Sequence, residues 1–135
     1  VATLRLPAAL DRLDQYREFV LGCAREAALP ADREGKLELI LEELLVNVAR
    51  YAYPDGQGEV ELCCGADPGR FVLVIRDWGP PFDPLAACTP DLDAGVDERP
   101  IGGLGIFFVR QMADGLAYRR EDGANELTIH FDLPR

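Results

Sequence analysis

Apolar residues recur along this chain with two different periods, and each change of period marks an element. Residues 2–6 of the opening VATLRLP can form a short strand. After Pro7 the period lengthens, so that Leu10, Leu13, Tyr16, Val20, Cys23, Ala24 and Ala27 share one face of a first helix. Leu29-Pro30-Ala31-Asp32 interrupts it, and Asp32 is the expected cap of a second helix, which runs to Tyr53 before Pro54-Asp55-Gly56. There Leu37, Ile40, Leu41, Leu44, Leu45, Val48 and Ala52 form a stripe at roughly 100° per residue. The same rotation sets Glu43, Asn47 and Arg50 together on one flank of the stripe and Glu42 on the other. A carboxylate, an amide and a guanidinium then share an edge, which is either an ordinary solvated edge or one wall of a site.

From Glu59 to Ala66 the pattern alternates, with Val60, Leu62 and Cys64 on one side and Glu59, Glu61 and Cys63 on the other. A turn at Ala66-Asp67-Pro68-Gly69 leads to a strand from Phe71 to Trp78, in which Phe71, Leu73 and Ile75 face inward and Asp77 follows in their phase. A carboxylate in a buried row needs hydrogen-bond donors. The turn at Gly79-Pro80-Pro81 is one source of them and a ligand is the other. Residues 80–103 are proline-rich and acidic without a period, and read as a long loop of the kind that forms lids and binding loops. Gly102-Gly103-Leu104-Gly105 then opens a short helix that carries Ile106, Val109, Arg110 and Met112, with Gly115 as its stop; glycines there permit an anion to approach backbone N–H groups. The chain closes with a hairpin: a strand from Leu116 to Arg120, a turn at Asp122-Gly123, and a strand with Leu127, Ile129, Phe131 and Leu133 in phase. Strand, two helices, two strands, a lid, one helix and two strands fit one domain over residues 1–135: an α/β (α+β) two-layer sandwich whose mixed, largely antiparallel sheet is covered by helices on one face.

Composition narrows the chemistry. With 24 acidic against 14 basic residues the formal net charge is -10, which argues against sequence-independent binding to nucleic acid or to an anionic membrane surface and leaves a basic protein as the easier partner. No stretch approaches the ~20 apolar residues of a membrane span and no signal-peptide pattern opens the chain, so a soluble cytoplasmic protein is expected. Cys23, Cys63, Cys64 and Cys88 lack metal-ligand spacing and read as small apolar fillers, not as disulfides or a zinc site. The single lysine, Lys36, lies in no GxxxxGK[ST] loop, and the single histidine, His130, on the solvent side of a strand, cannot supply a histidine metal cluster.

Three stretches in order carry a family resemblance. Glu43-Leu44-Leu45-Val46-Asn47-Val48-Ala49-Arg50-Tyr51 resembles the N box of the GHKL ATPase superfamily, the Bergerat fold of gyrase-type ATPases and histidine kinases; Asp77-Trp78-Gly79-Pro80-Pro81-Phe82-Asp83-Pro84 resembles its first glycine box and Gly102-Gly103-Leu104-Gly105 its second. Within that superfamily the chain most resembles the small anti-sigma-factor serine/threonine protein kinases. The resemblance implies ATP and Mg²⁺ as cofactors. It implies that Asn47 coordinates Mg²⁺, that Arg50 approaches the phosphates, that Asp77 accepts a hydrogen bond from the exocyclic amine of adenine and that Gly79 lets the backbone approach the base. Gly103 and Gly105 would bring the lid, residues 80–103, and the following helix N-terminus to the phosphates. Glu43 would be the general base, deprotonating a substrate serine or a water.

Three positions depart from the wider pattern or add nothing to it. Pro81 replaces a second glycine, Ile101 replaces the first glycine of the lid motif, and Thr128 sits on the polar face of its strand and takes no ligand role. The implied partner is a STAS-type anti-sigma-factor antagonist, with a sigma factor as a second candidate; homodimerisation, common among relatives, is left open. The competing readings are a Bergerat domain that binds partners without phosphotransfer and an ATP hydrolase that drives a conformational change.

Overall fold

The computed structural model describes residues 2–53, 58–81 and 109–134. β1 (Ala2–Pro7) leads through a 3₁₀ turn at Leu10–Arg12 into α1 (Leu13–Glu26), and α2 (Ala31–Asn47) continues into a π-helical turn, Val48–Ala52. β2 (Glu59–Asp67), β3 (Arg70–Asp77), β4 (Gly115–Glu121) and β5 (Ala124–Asp132) complete the described elements. Among the described residues these strands form one sheet in the order β1-β2-β3-β5-β4, and every pairing is antiparallel, so no parallel pair accompanies the expected mixed sheet. Tight turns explain two of these pairings: β2–β3 and β4–β5 are hairpins closed at Gly69 (φ 83) and at Asp122-Gly123 (φ 53 and 77), conformations that Asn, Asp and Gly tolerate.

Alternation decides the two faces of the sheet. Val60, Leu62, Cys64, Phe71, Leu73, Ile75, Leu127, Ile129 and Phe131 point inward and are buried against Tyr16, Val20 and Ala24 of α1 and the leucine-isoleucine stripe of α2. Val109, at the start of the helical residues 109–112, joins the same core. On the opposite face a row of alternating charge crosses all the described strands: Arg5, Glu61, Arg76, Glu126 and Arg119 are successive register partners. Arg76 bridges Glu61 (3.1 Å) and Glu126, Arg119 reaches Glu126 at 3.0 Å, and the Arg5 guanidinium lies 4.2 Å from the centroid of the Trp78 ring. The hydrogen bond from Arg76 holds the Glu126 carboxyl below its usual range.

Three expectations need correction. Asp32 is not the cap of α2: Pro30 holds that position, without a side-chain cap bond, and Asp32 lies exposed in the first turn, where a carboxylate still complements the helix dipole. Gly115 does not stop the third helix, which ends at Met112; it is the first residue of β4, and a Cβ there would stand 2.0 Å from the ring of its cross-strand partner His130. The third concerns the end of α2, where the i→i+5 turn replaces the regular 100° advance, so that Val48 and Ala52 are only half-buried. Among the described residues no helix is long and apolar enough to cross a membrane.

Candidate functional site

The end of α2 and the end of β3 meet. Gly79, two residues past the inward Asp77, packs so closely on Ala52, in the π turn, that a Cβ would stand 2.6 Å from the Ala52 carbonyl oxygen and 2.7 Å from its Cβ. Glycine is therefore required here for the contact with Ala52, whatever else approaches its backbone. Tyr53 makes the second link. Its ring lies over Gly58, its hydroxyl donates to the Glu59 carbonyl (2.6 Å), and it accepts from the Trp78 backbone N–H (2.8 Å). Burial pushes the Tyr53 phenol up from its ordinary range, keeping it a neutral donor.

On α2 itself, Glu43 and Asn47 stand four residues apart on one flank, both half-buried, while Glu42 on the other flank is exposed. Glu43 makes no hydrogen bond or ion pair among the described residues. The Asn47 Nδ2 is buried and has no hydrogen-bond partner among them. A buried amide left unpaired destabilises a fold by about 1–3 kcal/mol, so this nitrogen, beside a carboxylate without a partner among the described residues, is a candidate for contact with a ligand. The donor chemistry fits Mg²⁺ and nucleotide: an amide offers a hard oxygen to the ion and an N–H pair to a phosphate. Arg50 falls in the π turn and its side chain lies outside the described part of the structure, as do Gly103, Gly105, Cys88 and the lid beyond Pro81.

At the other end of the contact Asp77 is 8% exposed. Both donors that meet it land on one oxygen: Oδ1 accepts from the Gly79 N–H (2.9 Å) and from Asn125 Nδ2 (3.0 Å). The turn and a neighbouring strand thus supply the donors that a buried carboxylate demands, while Oδ2 accepts no hydrogen bond among the described residues. Asn125, 6% exposed on β5, is the register partner of Asp77 and also donates to the Pro80 carbonyl (2.9 Å). The Tyr118 hydroxyl donates to Asn125 Oδ1 (2.6 Å), which fixes the amide with its nitrogen toward Asp77. Arg120 donates to the Gly79 carbonyl (2.8 Å), so the β4–β5 hairpin braces the whole Asp77–Pro80 turn.

Tyr53, Tyr118, Arg120 and Asn125 are absent from the site that the sequence suggests. Asn125 carried a usable signal, since it precedes Leu127, Ile129 and Phe131 in the same two-residue phase and is a polar group in a buried row, as Asp77 is. The other three depend on which strands pair and carry no local mark.

Residues 6–131 match the family described as the histidine kinase-like ATPase domain. The chain belongs to that family. Among curated proteins it is similar to the serine-protein kinase RsbW of Staphylococcus aureus, 23% identical over 126 residues that span 89% of this chain and 79% of the relative. Among solved structures it resembles the RsbU and RsbW domains of Rv1364c from Mycobacterium tuberculosis (TM-score 0.63, 13% identity, all of this chain but 33% of that longer one). The SiaB-SiaC complex of Pseudomonas aeruginosa (TM-score 0.60, 12% identity, 98% and 90% of the two chains) and the catalytic domain of the histidine kinase ThkA (TM-score 0.59, 10% identity, 98% and 96%) share the fold as well. The five-stranded antiparallel sheet with its helices is thus the fold of histidine kinase-like ATPase domains.

Proposed function

We propose that this chain is an ATP-binding serine/threonine protein kinase that acts on a STAS-type anti-sigma-factor antagonist, within a partner-switching pathway in which a sigma factor is a second binding partner. The observation that supports the reading is the packing of Gly79, two residues past the buried carboxylate of Asp77, on Ala52, five residues past Asn47, whose buried Nδ2 has no partner among the described residues. The similarity to serine-protein kinase RsbW supports the class of reaction.

In this reading Asp77, held through Oδ1, presents Oδ2 to the exocyclic amine of adenine, and Gly79 keeps the turn close enough for the base to enter. Asn47 would hold Mg²⁺ and Arg50 would approach the phosphates, with Gly103 and Gly105 the candidates to bring backbone N–H groups to them. Mg²⁺ bound there would supply charge neutralisation to the phosphates. Glu43 would take the proton of the substrate serine hydroxyl as that oxygen attacks the γ-phosphorus and the bond from it to the β–γ bridging oxygen breaks, with ADP as the leaving group. Positioning and charge compensation account for most of the rate, so Glu43 refines a reaction that Asn47 and the lid assemble.

The test is transfer of labelled γ-phosphate to a candidate STAS domain with Mg²⁺ present. Transfer that falls ~10²-fold or more in Glu43→Ala, with ATP affinity kept, is the expected result for a general base. Nucleotide binding without transfer to any candidate would assign the chain to partner binding alone, and full activity in Glu43→Ala would remove that residue from the mechanism.

A further inference from the structure

Two cysteines that are far apart in sequence and sit outside the nucleotide site come together where α1 packs on the sheet. Cys64 of β2 is buried in the core and Cys23 of α1 is half-buried, and the two line one cavity where α1 packs on β2. A cavity of about 310 Å³ lies over the pair, walled by Ala2, Ala27, Gly65 and Ala66, with Glu26 at its side. These walls are small, so a small oxidant can reach the pair. The adjacent Cys63 belongs to the opposite face of β2, where the Thr3 hydroxyl donates to its sulfur (3.6 Å). Strand alternation therefore separates the two neighbours in sequence and pairs Cys64 with a residue of α1.

We propose that Cys23 and Cys64 form a reversible disulfide between α1 and β2 on exposure to hydroperoxides. Cys23, the more accessible sulfur, attacks one peroxide oxygen as thiolate; the O–O bond breaks, Cys23 becomes a sulfenic acid, and the second oxygen leaves as water, or as an alcohol from an organic peroxide. The Cys64 sulfur then attacks the Cys23 sulfur, the S–O bond breaks, and the departing hydroxide takes the Cys64 proton as a second water. Two thiols and one hydroperoxide are consumed, and the sulfurs are oxidised as the peroxide is reduced. Burial pushes the Cys64 thiol up, which keeps it protonated and makes Cys23 the sulfur that reacts first. The new bond closes a loop that contains the whole of α2, with Glu43 and Asn47 on it, and so restricts the unfolded chain.

The test oxidises the intact chain with hydrogen peroxide, blocks remaining thiols with N-ethylmaleimide, and maps peptides by mass with and without dithiothreitol, fragmentation between Cys63 and Cys64 assigning the bridging sulfur. Cys23 and Cys64 should be lost from alkylation together and return together on reduction, while Cys63 stays alkylated. The oxidised protein should unfold at a higher urea concentration than the reduced one, a shift that Cys23→Ser abolishes. In Cys64→Ala, dimedone should trap the Cys23 sulfenic acid that no longer finds a partner. Oxidation of Cys63 ahead of the pair, over-oxidation of Cys23 with Cys64 still free, or a disulfide only between chains would each overturn the proposal. None of these readouts involves nucleotide, so the result stands apart from the kinase reading.

Discussion

Asn125→Asp is the sharpest test of how the hairpin holds Asp77. The substitution keeps the side-chain shape and replaces a neutral donor, 3.0 Å from Asp77 Oδ1, with a second carboxylate in a place that is 6% exposed. Two unit charges at that distance repel by about 5 kcal/mol at an effective dielectric near 20, which corresponds to roughly 3–4 pKa units. The two carboxyls then cannot both ionise near neutral pH, and they titrate as one unit with a pKa raised well above the ordinary carboxylate range. A folded-state pKa raised above the unfolded value gives stability that is present at low pH and lost as pH rises through it. The variant should therefore lose on the order of 3 kcal/mol at about pH 8, as breaking a buried charged hydrogen-bond network does, and recover most of it by about pH 5. Asn125→Ala removes the same donor without adding charge, so its deficit should not change over that range. Urea unfolding of both variants and the wild type across this range is the assay, with calorimetric titration of Mg²⁺-ATP as a second readout, expected to weaken ~10-fold or more in Asn125→Asp at the higher pH. Parallel pH profiles for the two variants would refute the account of Asp77, whatever the nucleotide does.

Three further outcomes follow from the same geometry. Asn47→Leu removes an amide nitrogen that is buried and unpaired among the described residues, so thermal unfolding should show the apo fold unchanged or up to ~1 kcal/mol more stable, while calorimetry shows the Mg²⁺-dependent part of ATP binding abolished. Gly79→Ala drives a methyl into the backbone of Ala52 and should cost about 1–3 kcal/mol in denaturant unfolding. Its control is Gly22→Ala on the exposed side of α1, where the added methyl meets nothing within 4 Å and stability should hold or rise by up to ~1 kcal/mol. The Glu126 carboxyl is held below its usual value chiefly by its hydrogen bond from Arg76, so its contribution to stability is present above the ordinary carboxylate pKa and lost as pH falls through the depressed one. The urea midpoint of the wild type should accordingly fall more steeply on acidification than that of Glu126→Gln, which starts lower and has less to lose.

The amino-acid sequence by itself determined the strands and the first two helices and the phase of β2, β3 and β5, because burial of one face leaves a local mark: a period of two in those strands, and a period near 3.6 in α1 and α2. It also exposed Asp77, whose place in an apolar row is anomalous without any knowledge of its neighbours. Only the tertiary structure decided what meets Asp77. The pairing of β3 with β5 brings Asn125 to it, and the pairing of β4 with β5 brings Tyr118 and Arg120, through contacts between residues up to 48 positions apart that leave no trace in local pattern. The end of α2 departs from the expected regular helix for the same reason. A regular helix continues at 100° per residue on local preference alone, whereas the π turn at Val48–Ala52 sets Ala52 on Gly79 and Tyr53 on Trp78, contacts with a strand that the helix reaches only in the folded chain.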